Sequence, residues 1–394
     1  MRSALPFLAL STLSIALAAQ ACGGSTENGA QPATDAGAEA GDDAAVAETG
    51  AADVGPDVDN GAPSTNYPAP HPPLPTLTNV AGGSVLKTPK VYLVFYAGYP
   101  YETQLETMAQ NIGATSYWSA ATQEYGIGAV QYAGKIELTD TPPQTITDTA
   151  IDTFMNGKIA GGAFGTPDPS TIYTIFYPTT TTITLSSGGP FGSGQSCTSF
   201  GGYHQDTAVT VGDGGTPQNY AYAVLPTCSG TINGLSGLDS VSGALSHEWV
   251  EAVTDPFPST NNGADSAFSQ VDMDHFIWAV TGGGTEAGDL CVGELDAFFK
   301  PANLAFTVQR TWSNQLAKAS HDPCAPNYPG EAFFDSAPVL NENVTFTSQF
   351  IGGTVNTKGV TIPVGQSKTI EVDLFSDAAT SGPWTVGPPI DVVA

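Results

Sequence analysis

The 394-residue chain carries a formal charge of −28 and only 10 Lys and Arg residues. That leaves too few cations to neutralise nucleic-acid phosphates or to dock electrostatically on anionic lipid. Its 45 Gly and 30 Pro residues favour loops and strands over a helical bundle, and its length allows one large domain with a small one. The acidic balance suits an exported protein and the binding of cations.

At the N-terminus Arg2 precedes an apolar stretch over residues 5–19, and Ala18, Ala19 and Ala21 supply small residues at its end. This is the pattern of an export signal, too short to be read as a spanning helix. It stops at Cys22. A Cys directly after such a segment resembles the lipobox of bacterial lipoproteins, which implies a signal peptide over 1–21, a diacylated Cys22 and a chain held in the bacterial cell envelope by lipid. Ordinary cleavage would instead release a secreted protein. Residues 23–65 hold nine acidic residues, no basic one and no aromatic one. They cannot bury enough apolar surface to offset chain entropy, so residues 22–78 read as a self-repelling tether. Pro68, Pro70, Pro72, Pro73 and Pro75 stiffen its end, and His71 among them is expected to be exposed to solvent.

The fold is expected over residues 79–328. Residues 90–96, Lys-Val-Tyr-Leu-Val-Phe-Tyr, read as a buried strand. Residues 101–125 predict one or two helices, 130–138 a strand, 147–158 a short helix, and 170–177, 179–185 and 220–225 further strands. Residues 191–202 are a Gly/Ser-rich loop. Over 236–254 the apolar residues Leu238, Val241, Leu245, Trp249 and Ala252 recur at helical steps. Ser236 or Asp239 caps its start and Pro256 ends it. The predicted class is α+β, a mixed sheet with one chemically loaded helix. Residues 343–350, 359–364 and 368–375 predict strands of a small C-terminal β-sandwich over 329–394 with an accessory role. Four cysteines remain after Cys22: Cys197, Cys228, Cys291 and Cys324. In an exported chain they imply two disulfides. Three connectivities are open, and Cys197–Cys228 with Cys291–Cys324 is preferred because each closes a local loop. Their spacing is not a Cys-based zinc pattern.

The chemistry concentrates in Ser246-His247-Glu248-Trp249-Val250-Glu251-Ala252-Val253-Thr254-Asp255-Pro256, which departs from the zinc-protease pattern H-E-x-x-H only by Glu251 at the last position. On a helix, positions i and i+4 share a face, so His247 and Glu251 can hold one ion while Glu248 reaches a water on it as general base. Asp255 lies one turn further on. Glu286 and Asp289, in Glu286-Ala-Gly-Asp289-Leu-Cys291, are candidates to return a further carboxylate ligand. Exchanging a His for Glu251 hardens the site, so Zn²⁺ remains the expected cofactor and Ca²⁺ the alternative. His204 reads first as a structural residue, with a ligand or outer-shell role as the alternative. His275 reads as part of a surface turn, with a ligand role as the alternative, and His321 as a solvent-exposed loop residue. No G-x-S-x-G motif supports a serine hydrolase, and Gly282-Gly-Gly284 lacks the Lys and helix of a phosphate loop.

The segment from Gly82 to Tyr96 resembles the opening strand of the EXORDIUM/phosphate-induced-protein-like extracellular proteins. Cys197-Thr-Ser-Phe-Gly-Gly-Tyr-His204 resembles their Cys-to-Gly-His segment. The 246–256 motif with Glu286-Ala-Gly-Asp-Leu-Cys291 resembles a group of zincin-like bacterial secreted proteins. The zincin resemblance implies metal ligands at His247 and Glu251 and a base at Glu248, hence a metallopeptidase acting on peptide or cell-surface polymer through metal-activated water. The chain has no G-x-x-H continuation and no Met-turn. The EXORDIUM resemblance implies instead a non-catalytic surface binding protein with a structural cation. Either form is expected to be a monomer.

Overall fold

The computed structural model describes residues 64–79, 82–185, 194–212, 214–263, 265–276, 284–327, 330–348 and 353–380. The signal segment, Cys22 and the acidic run to residue 63 lie outside the described residues.

The chain is mixed α and β, organised on one five-stranded sheet. In chain order its strands are β1 (Lys90–Tyr96), β2 (Gln131–Leu138), β3 (Thr171–Tyr177), β4 (Tyr203–Thr210) and β5 (Pro217–Pro226), laid side by side as β2-β1-β3-β5-β4. The first four of that row are mutually parallel, and β4 closes the edge antiparallel to β5. Parallel strands are buried on both faces, which is why β1 and β3 are almost continuously apolar. Alternation sorts their side chains. Val91, Leu93 and Phe95 join one core with the helices α1 (Glu102–Ile112), α2 (Ser116–Thr122) and α4 (Gly237–Thr254). Val94 and Tyr96 join the opposite core with α3 (Asp148–Ala160).

Helix α4 is buried nearly all round, as expected of a helix covered on both sides. Its Trp249 Nε1–H donates to Thr174 Oγ1 on β3 at 2.8 Å. Ser236 occupies the position before the helix but makes no side-chain cap bond. Asp239 instead pairs with Lys300 at 2.9 Å and accepts from Thr307 Oγ1. Both expected disulfides form, Cys197–Cys228 and Cys291–Cys324.

Several expectations are corrected. The folded part begins before residue 79: Leu74 and Leu77 are buried, Leu77–Thr78 pairs with Gln270–Val271, and His71 stacks on Phe375 with ring centroids 3.6 Å apart. The prolines therefore press this segment onto the fold instead of extending it as a tether. The strand Thr182–Thr184 is shorter than expected and pairs with Thr145–Thr147 outside the main sheet. Strand β4 follows a Gly-rich loop and was not expected. In the C-terminal part, Phe334–Pro338 pairs with Val372–Ser376 and Glu342–Ser348 with Gly353–Gly359. Residues 360–364 are not a strand, since Pro363 has no N–H to give a ladder.

Candidate metal centre

Three stretches of chain meet at the C-terminal half of α4. The helix supplies His247, Glu248 and Glu251, all buried. Strand β4 supplies His204. Its neighbour Tyr203 enters the α3-side core, so the period-2 alternation turns His204 toward α4. The loop leading into the short 3₁₀ turn Asp289–Cys291 supplies Glu286 and Asp289, tied down by the Cys291 disulfide and by Trp312 N–H donating to Ala287 O at 2.8 Å.

Two groups of metal-ligand atoms result, and Glu251 belongs to both. His247, Glu251 and Asp289 form one; His204, Glu248 and Glu251 form the other. In the first, His247 Nε2 lies 3.1 Å from Glu251 Oε1 and 3.7 Å from Asp289 Oδ1. Each partner is held. Glu251 Oε1 accepts from the backbone N–H groups of Gly288 and Asp289 at 3.2 and 3.3 Å. Asp289 Oδ2 accepts from Thr285 N and Glu286 N at 3.0 and 3.2 Å, leaving Oδ1 directed at His247.

Gln309, which the sequence reading passed over, sets the state of His247. Its Nε2 donates to Gly288 O at 2.6 Å, which fixes its Oε1 toward His247 Nδ1 at 3.0 Å. A carbonyl oxygen accepts only, so Nδ1 carries a proton, and Nε2, facing Glu251 and Asp289, is the ring position a cation would take. Gln309 N–H in turn donates to Ser246 Oγ at 2.9 Å. No local signal marks Gln309, because it lies outside the 246–256 and 286–291 motifs and acts through contacts made only in the fold.

Close packing leaves no room for side chains on the facing backbone. A Cβ at Gly288 would stand 2.5 Å from His247 Nδ1, and one at Gly202 would stand 2.8 Å from Glu248 Oε1. A small pocket of about 30 Å³, room for one or two water molecules, opens beside His247 and Glu248 between the apolar walls of Ile232, Leu235, Val292 and Phe298.

Electrostatics follow from burial and proximity. Burial pulls the His247 and His204 pKa values down, but the surrounding carboxylates outweigh it and raise both well above the usual histidine range. Burial works against the Glu251 carboxylate, yet the two imidazoles bring its pKa down to about 2. Burial and the Glu251 charge push Asp289 up to about 8. Burial raises Glu248, opposed by His204 and His247.

The remaining expected residues divide. Asp255 is drawn into neither ligand group; its carboxylate accepts from Ala267 N at 2.6 Å and Ser266 Oγ at 3.0 Å, holding the chain beneath the end of α4. Glu286 Oε1 faces His204 Nε2 at 3.5 Å. His204, first read as structural, has both ring nitrogens buried without a hydrogen-bond partner. His275 lies in the surface 3₁₀ turn Met273–His275 and is half-buried there against Asp272 at 2.7 Å and Pro73 O at 2.9 Å. His321 pairs with Asp377 at 3.0 Å.

The donor set fits a divalent cation. Bonds of about 2.1 Å in a tetrahedron put neighbouring ligand atoms about 3.4 Å apart, and the 3.1 and 3.7 Å separations around His247 bracket that edge. An imidazole in each group favours Zn²⁺ over Ca²⁺, which prefers six to eight oxygens. No protein-family model, curated protein or solved structure matches the chain, so nothing outside the molecule assigns a role to these residues.

Proposed function

We propose that the chain is an exported, lipid-anchored metallopeptidase, with its zincin-like helix α4 carrying the reaction and a C-terminal β-sandwich as accessory. The observation that carries the reading is the His247–Glu251–Asp289 group beside a water-sized pocket that Glu248 also lines. His247 Nε2, Glu251 and Asp289 would hold the cation, with the His247 ring oriented by Gln309. A bound Zn²⁺ supplies Lewis-acid polarisation of a carbonyl and lowers the pKa of water. Glu248, lining the water-sized pocket, would accept a proton at its carboxylate from a water lodged there. Burial raises its pKa toward the range useful for a general base. The apolar walls of Ile232, Leu235 and Phe298 limit water around the reacting atoms. The anchor at Cys22 places the chain at the bacterial envelope, facing peptide or cell-surface polymer.

The test is zinc content and cleavage of a mixed peptide library by the purified chain. Glu248→Gln is expected to keep the cation at His247 and lower kcat by about 10²–10⁴. Zinc binding without hydrolysis of any peptide overturns the peptidase reading. Calcium that raises Tm, with neither zinc nor hydrolysis, favours the surface binding protein with a structural cation.

A further inference from the structure

We propose that a second divalent cation of the zinc or manganese class binds between His204, Glu248 and Glu251, with Glu251 bridging it to the ion at His247. The proposal rests on the metal reading of the His247 group and adds a site to it.

The first argument is geometric. His204 is fully buried on the edge strand β4, and its Nδ1 lies 3.6 Å from Glu248 Oε2 and 3.5 Å from Glu251 Oε2. None of these three atoms has a hydrogen-bond partner. Leaving such groups buried and unsatisfied is costly, so a partner is expected for each. The separations are too long for charge-assisted hydrogen bonds, which close to about 2.7–2.9 Å. They match the edge of about 3.4 Å expected around a tetrahedral ion with bonds of about 2.1 Å. Across the ring, His204 Nε2 faces Glu286 Oε1 at 3.5 Å. A carboxylate behind the imidazole is the usual orienting arrangement for a metal-bound histidine.

The second argument is the division of Glu251. Its Oε1 belongs to His247 and the Gly288 and Asp289 N–H groups, while its Oε2 faces His204. One carboxylate with its two oxygens committed to two separate imidazole-containing groups is the geometry of a bridge between ions about 3.5–4 Å apart. Charge agrees. Glu248, Glu251, Glu286 and Asp289 are all buried around the two histidines, and buried charges require compensation. Glu248 then gives Oε2 to the second ion, while its Oε1, against Gly202 at the pocket wall, stays available to water.

The experiment uses the full purified chain, loaded with zinc and desalted, with metal counted by mass spectrometry. A parallel sample is loaded with manganese for electron paramagnetic resonance. Two zinc ions per chain are expected, with an exchange-coupled manganese pair. His204→Gln is expected to lower the count to one and abolish the coupling, and Glu251→Ala to lower it below one. One ion in the native chain with no exchange coupling overturns the second site and leaves the His247 site standing. No bound ion overturns both. The native stoichiometry and coupling decide the matter even if a variant fails to fold.

Discussion

Helix α4 and the C-terminal ladder Phe334–Pro338 with Val372–Ser376 treat their apolar and polar residues in opposite ways. In α4 the Glu248 and Glu251 carboxylates are buried among Leu245, Trp249 and Val253. In the ladder, Phe334, Val372 and Leu374 stand in solvent, and only Ala337 and Phe375 join the main core. The difference teaches where the molecule concentrates its energy. Packing around α4 is dense enough to hold titratable groups out of water in fixed positions, which a preorganised site requires. The ladder is held chiefly at one seam, where Phe375 stacks on His71 and Ala69 N–H donates to Ser376 O.

Substitution in both regions tests this contrast. Trp249→Ala removes a fully buried ring and leaves Thr174 Oγ1 without its donor; it is expected to cost about 3–5 kcal/mol in denaturant unfolding. Leu374→Ala in the ladder, 46% exposed, is expected to cost under about 0.5 kcal/mol. Equal losses would erase the distinction.

The disulfide Cys291–Cys324, across a separation of 33 residues, anchors the loop that brings Asp289 to His247. Replacing both cysteines by serine is expected to cost about 2–4 kcal/mol. Zinc affinity should fall as well, because the loop then samples other positions. Calorimetry of zinc binding checks this; unchanged affinity would show that the loop is placed by packing alone.

A small, pH-dependent effect is expected at the Asp272–His275 pair. Asp272 pairs with His275 and accepts from Thr76 N at 2.7 Å, while His275 Nε2 contacts Pro73 O and Thr357 Oγ1 donates to Asp274 O in the same turn. Burial lowers the His275 pKa, but Asp272 outweighs it and raises it above 6.5. Burial opposes the Asp272 carboxylate, but His275 lowers it below 3.8. The His275 contribution is therefore complete below about pH 6.5 and lost as pH rises through its raised folded value. The Asp272 contribution is complete above about pH 3.8 and lost as pH falls through its lowered folded value. Between these limits the pair is expected to stabilise by under about 1 kcal/mol, and His275→Gln should remove the alkaline loss from the Tm profile.

Much of this was legible in the chain. The spacing of Val241, Leu245, Trp249 and Ala252 gives the helix, and the i, i+4 relation puts His247 beside Glu251. The disulfide pairs follow from local loops. Asp255 was misread because helical spacing stops describing direction once the chain leaves the helix, where its φ is −137°. The docking of His71 was invisible because a Pro-rich stretch has the same composition whether it is solvated or pressed against Phe375.

By itself, then, the sequence determined the elements, the loaded helix and the cross-links, since these depend on residues a few positions apart or on covalent pairing. Only the tertiary structure decided that β4 turns His204 toward α4, that Gln309 orients the His247 ring, and that Glu251 divides its two oxygens between two groups. Those relations join residues tens of positions apart. They are fixed by which strand lies at the sheet edge and which loop is tied beneath the helix, and no local periodicity encodes either.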